Sequence, residues 1–117
     1  MRNAIKAAVA GTAIAGTMLV ATPGAALAAN DHWCSVTTNY CSAGNTPANS
    51  SHQIFVSTAG TRGNYTLTVI DVNNGKTIHR VTVNAPLEKT LGNVWSSYEA
   101  QIWCETGCPG ANLHIWS

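Results

Sequence analysis

The sequence predicts an all-β fold: a small antiparallel β-sandwich of about six or seven short strands, stabilised by disulfides. Three observations lead there. Beyond residue 28, apolar and polar residues alternate with a period of two in one segment after another. Turn signals built on Gly, Asn and Pro recur about every ten residues, the rhythm of short strands in a sandwich. No stretch beyond residue 28 places apolar residues at i, i+3, i+4 and i+7 between helix caps, so a helical reading has no support.

Residues 1–28 read as a secretory signal. Arg2 and Lys6 supply a positive start, "AAVAGTAIAGTMLV" an apolar run too short for a membrane span, and Pro23-Gly24 a break. "ALA" at 26–28 offers small residues for cleavage after Ala28, with Ala29 the near alternative. The Ala- and Gly-rich leader resembles those of high-GC Gram-positive bacteria. The product is therefore expected to be secreted and extracellular, with residues 29–117 forming one domain.

Within that domain, "DHWCSVTTNYC" is rich in Thr, Val and aromatics and predicts a first strand or an ordered arm. "SAGNTPANSSH" at 42–52 has little to bury and predicts a surface loop. Next, Ile54, Val56 and Thr58 alternate with Gln53, Phe55 and Ser57, and "AGTRGN" makes a turn. In "YTLTVIDV", Tyr65, Leu67 and Val69 share one face and Thr66 and Thr68 the other. Asn73-Asn74-Gly75 then predicts a tight hairpin, because Asn and Gly tolerate positive φ. The return strand "KTIHRVTVN" changes phase between Ile78 and Val81, which calls for a bulge near His79 or Arg80. A short segment runs from Pro86 to Gly92. "SSYEAQIWC" points Tyr98, Ala100, Ile102 and Cys104 inward and Ser97, Glu99, Gln101 and Trp103 outward. "ANLHIWS" closes the chain with Leu113 and Ile115 inward.

Four cysteines in a short exported chain predict two disulfides. The local pairing, Cys34–Cys41 with Cys104–Cys108, is favoured because it assumes nothing about how the chain ends meet. Six residues between one pair and three between the other fit neither a zinc knuckle nor a redox CxxC motif. The layout of a short cysteine loop near the C-terminal strands resembles the secreted chromoprotein apoproteins of the neocarzinostatin type. No ligand-contacting motif is shared, so no residue role carries over.

Composition excludes several functions. Over residues 29–117, Arg62, Lys76, Arg80 and Lys89 stand against Asp31, Asp71, Glu88, Glu99 and Glu105. Such a chain has no basic stripe for nucleic acid and no second apolar run for membrane insertion. No Gly-x-Ser-x-Gly elbow occurs, and His32, His52, His79 and His114 show no paired metal spacing. The expectation is a non-enzymatic protein with no cofactor and no metal.

Four tryptophans, Trp33, Trp95, Trp103 and Trp116, remain to be explained. If the Cys104–Cys108 loop joined its flanking strands as a hairpin, Ile102 would pair with Leu113. Trp103 would then lie opposite Asn112, Gln101 opposite His114 and Glu99 opposite Trp116. That face, of Trp103, Trp116, Gln101, His114, Glu99 and Asn112, resembles the aromatic and polar platforms of carbohydrate-binding sandwiches. The competing structural reading makes the indoles core pieces of a small domain. The expected partner is an extracellular glycan or a protein. The alternatives are a hydrolase inhibitor or antimicrobial toxin acting through loops 42–52 or 105–110, and a coat or matrix component.

Overall fold

Eight strands run through residues 30–117, the part of the chain that the computed structural model describes. The expected leader and its cleavage point lie outside these residues. The strands are β1 (Asp31–Ser35), β2 (Tyr40–Pro47), β3 (Ile54–Ala59), β4 (Tyr65–Asp71), β5 (Thr77–Val83), β6 (Glu88–Leu91), β7 (Ser97–Cys104) and β8 (Asn112–Trp116). They form two four-stranded antiparallel sheets: a front sheet ordered β2-β7-β4-β5 and a back sheet ordered β1-β8-β3-β6. No helix among the described residues is long and apolar enough to cross a membrane.

The period-two alternation builds the core as expected. Ile54, Val56, Leu113 and Ile115 from the back sheet meet Leu67, Val69, Ala100 and Ile102 from the front, all fully buried. Burying each large aliphatic side chain contributes roughly 1.5–3 kcal/mol relative to leaving it exposed. Two side-chain polar links tie the sheets together: His32 Nδ1 to the Thr46 hydroxyl at 2.9 Å, and a bond from Thr58 to Tyr65. The buried Tyr65 hydroxyl donates to the Ala85 carbonyl at 2.7 Å and bonds the Thr58 hydroxyl at 2.8 Å. A phenol has one proton to give, so Thr58 donates to Tyr65 while its oxygen accepts the Leu87 N–H at 3.0 Å.

Both disulfides have the favoured pairing. Cys34–Cys41 joins edge strand β1 of the back sheet to edge strand β2 of the front. Cys104–Cys108 closes the start of the β7–β8 crossing. Each closes a loop shorter than fifteen residues, for which loop entropy supplies about 3 kcal/mol, so neither dominates stability. Their accessibility differs: Cys104 and Cys108 are fully buried, whereas Cys34 and Cys41 only pack against the core edge. Mild thiol reductant under native conditions should therefore open Cys34–Cys41 first. Cys104–Cys108 should open only as the domain unfolds, which timed alkylation and peptide mass mapping would reveal.

Four expectations need correction. The strands number eight rather than six or seven, partly because "DHWCSVTTNYC" makes two of them. The chain turns at residues 36–39 and passes from back to front sheet. The expected loop at 42–52 is half strand: residues 42–47 belong to β2 and pair with β7. Ala43 and Thr46 point inward there despite the polar composition. Gly44 makes the strand possible, because at its φ of 153° a Cβ would stand 2.8 Å from Glu99 Cα. Only the following segment is a turn, with Asn49 Oδ1 accepting the N–H groups of Ser51 and Gln53.

The bulge falls at Ile78, one residue before the expected place. Val69 pairs with His79 and Ile70 with Thr77, which ejects Ile78 to solvent and turns His79, Val81 and Val83 inward. The fourth correction concerns β7 and β8. They do not form a hairpin; the stapled loop carries the chain from the front sheet to the back. Alternation along a strand fixes which side chains share a face, but not which sheet the strand joins.

The Asn-Asn-Gly hairpin forms between β4 and β5, with residues 72–76 in its loop and Gly75 at φ 75°. Asp71 anchors it, its Oδ1 accepting the Ser96 hydroxyl at 2.7 Å and the Asn73 N–H at 2.9 Å. The Ser96 hydrogen bond, outweighing the cost of burial, holds the Asp71 carboxyl below its ordinary value of 3.8. A depressed carboxyl stabilises the fold above pH 3.8, and that contribution disappears as pH falls through the native value. Ser96→Ala should therefore lower the melting temperature at neutral pH. The gap from wild type should narrow in melts run below pH 3.8.

Candidate functional site: the outer face of the front sheet

Register places the outward side chains of the front sheet in rows. Tyr40, Trp103, Thr66 and Thr82 form one row across β2, β7, β4 and β5. Ser42, Gln101, Thr68 and Arg80 form the next, and Glu99, Ile70 and Thr77 a third. With strands about 4.8 Å apart, the first row spans roughly 14 Å. On the central strands β7 and β4 the inward neighbours are core residues, so packing commits the alternate side chains to the outer face. Tyr40 is 47% exposed and Trp103 46%.

The surface is concave. Tyr40, Thr66, Thr68, Ile70, Thr77, Arg80, Gln101 and Trp103 line a shallow recess of about 410 Å³. On the other side of Trp103 a smaller recess of about 120 Å³ lies against Asn64, Thr66, Thr82 and Glu105. The indole thus stands as a wall between two hollows. Polar groups are partly tied down: the Thr66 and Thr82 hydroxyls bond at 2.9 Å, and Gln101 Nε2 donates to Glu99 Oε2 at 3.2 Å. These contacts set side-chain orientation and leave acceptor capacity free on the hydroxyls and on the Gln101 carbonyl.

The back sheet differs. Trp33 stacks on His114 with centroids 3.7 Å apart and planes 8° from parallel, and His114 stacks on Trp116 at 4.2 Å and 18°. Phe55 extends the row at 5.5 Å from Trp116, and Asp31 pairs with His114. In this ladder the imidazole faces are taken up by both indoles. What the interior of the row offers outside is largely ring edge, although Trp33, 62% exposed, ends it.

The six expected site residues are therefore split. Trp103, Gln101 and Glu99 lie on the front face, while Trp116, His114 and Asn112 lie on the back. Trp103 faces Tyr40 and Thr66 instead of Asn112. Asn112 faces Ser35 and Ala59, and accepts the Ser35 hydroxyl at 2.7 Å. None of the four tryptophans belongs to the buried core; Trp95, 69% exposed, lies against His52 among the loops. Sequence reasoning missed Tyr40, Thr66, Thr68 and Arg80. The outward parity of Thr66 and Thr68 was legible, that of Tyr40 and Arg80 was not, and the alignment of all four beside Trp103 depends on the β2-β7-β4-β5 order.

Among the described residues no three His, Cys, Asp or Glu side chains come together in a metal-binding cluster. No protein-family model matches the chain, and no curated protein matches it.

Proposed function

We propose that the protein is an exported, non-catalytic binding module that recognises a glycan on the outer face of its front sheet. One observation carries the reading: a concave face sets two exposed rings, Trp103 and Tyr40, beside an amide, a guanidinium and a bank of hydroxyls. Sugar rings present flat patches of C–H that settle on aromatic faces, and hydroxyls that bond amides and side-chain oxygens. Neither Trp103 nor Tyr40 takes part in the aromatic stacks of the described residues, and each is about half exposed, which leaves ring area for a ligand. The back-sheet ladder uses much of its ring area on itself. The signal-like leader and the two disulfides support an extracellular setting.

The loops argue against an inhibitor that inserts into an enzyme cleft. Residues 42–47 are held in β2, and the Cys104–Cys108 loop is bonded to residues 36–39 through Cys108 N to Thr38 O and Gly110 N to Val36 O, both 2.9 Å.

The test is co-sedimentation of the mature, oxidised protein with insoluble polysaccharides and cell-wall preparations. Retention on at least one polysaccharide, competed by its soluble fragments, is expected. A protein that stays in the supernatant throughout would refute the glycan reading and direct the search to protein targets.

A further inference from the structure

Arg80 is the only charged side chain lining the larger recess, on a domain with few cations. The single ion pair among the described residues joins Asp31 and His114, so Arg80 has no carboxylate partner there. Glu99 lies in the adjoining row and takes the Gln101 amide instead. Two strand spacings and one row along the strands, about 12 Å in all, separate the β5 position of Arg80 from the β7 position of Trp103. A free guanidinium thus sits within one short oligosaccharide of a free indole.

We propose that the recess selects glycans whose rings carry carboxylates, as in a polyuronate. Arg80 takes the carboxylate while Trp103 and Tyr40 cover ring faces; the proposal rests on the front face being the glycan site. The guanidinium fork matches a carboxylate with two parallel N–H···O bonds, which a lysine ammonium cannot reproduce. A polyol phosphate chain would satisfy the charge but give the two rings no flat sugar face, so the paired features favour a charged ring. Because Arg80 is exposed, the charge contribution is modest and falls with added salt.

The experiment compares polygalacturonate with its fully methyl-esterified form, against wild type, Arg80→Gln and Arg80→Lys, by affinity electrophoresis at low and high salt. Wild type should prefer the acid form by roughly three- to tenfold at low salt. Arg80→Gln should lose that preference while still binding the ester, and Arg80→Lys should keep part of it. Equal binding of both forms by wild type would overturn the proposal, as would a preference that survives in Arg80→Gln. Tighter binding of poly(glycerol phosphate) than of polygalacturonate would also overturn it. If only neutral glycans bind, this inference falls and the glycan reading stands; if no glycan binds, both fall.

Discussion

Trp103→Ala is expected to weaken glycan binding by about thirtyfold or more while the domain stays folded. The indole is the wall shared by both recesses, and truncating a central aromatic anchor typically costs about 2 kcal/mol or more. Its outward position keeps the cost to the fold low, since the core side of β7 is formed by Tyr98, Ala100, Ile102 and Cys104. Trp95→Ala is the matched control: an indole of greater exposure among the loops, whose removal should leave affinity unchanged. Isothermal titration of both variants separates the two. Equal losses would mean that ring exposure in general, and not the front face, drives binding.

The second large effect is on stability. Ile102→Ala should destabilise the domain by about 2–5 kcal/mol, a large share of the roughly 5–15 kcal/mol that a small domain possesses. Ile102 is fully buried on β7 between Cys41 of β2 and Leu67 of β4, where neighbours on both sides limit collapse into the vacated space. The adjacent Gln101→Ala, pointing outward, should change stability by no more than about 0.5 kcal/mol. Urea unfolding with both disulfides intact measures the pair. A comparable cost at both positions would contradict the parity on which the fold and the binding face rest.

That parity was the part most legible in sequence. Tyr65, Leu67 and Val69, then Tyr98, Ala100 and Ile102, announced their inner faces because strong alternation leaves one way to bury them. β2 was invisible for the opposite reason. Its residues are Ser, Gly, Asn, Thr and Pro among few apolar ones, and it is a strand because β7 offers it a pairing edge and Gly44 lets the backbones approach. The bulge was foreseen from the phase change between Ile78 and Val81. Its placement at Ile78 follows from an edge strand, where an ejected side chain meets water and not a neighbouring strand.

The candidate site was half legible. Trp103, Gln101 and Glu99 stood on one outward parity, and that survived. Their supposed neighbours did not, because a seven-residue crossing from Glu105 to Ala111 can join two sheets as readily as two strands of one. Gly107 and Gly110, both with φ near 90°, let this stapled segment wind across the end of the sandwich. Short-range spacing does not distinguish those routes. Tyr40, brought beside Trp103 by a strand the sequence hid, supplies the second exposed ring of the front face.

The most direct test of the central claim is a backbone and indole N–H chemical-shift map of the ¹⁵N-labelled domain, titrated with soluble fragments of a polysaccharide it retains. The account predicts that shifts concentrate on Tyr40, Thr66, Thr68, Arg80, Gln101 and the Trp103 indole, with Trp33, His114 and Trp116 unmoved. Shifts confined to the Trp33–His114–Trp116 ladder would place binding on the back sheet and contradict it.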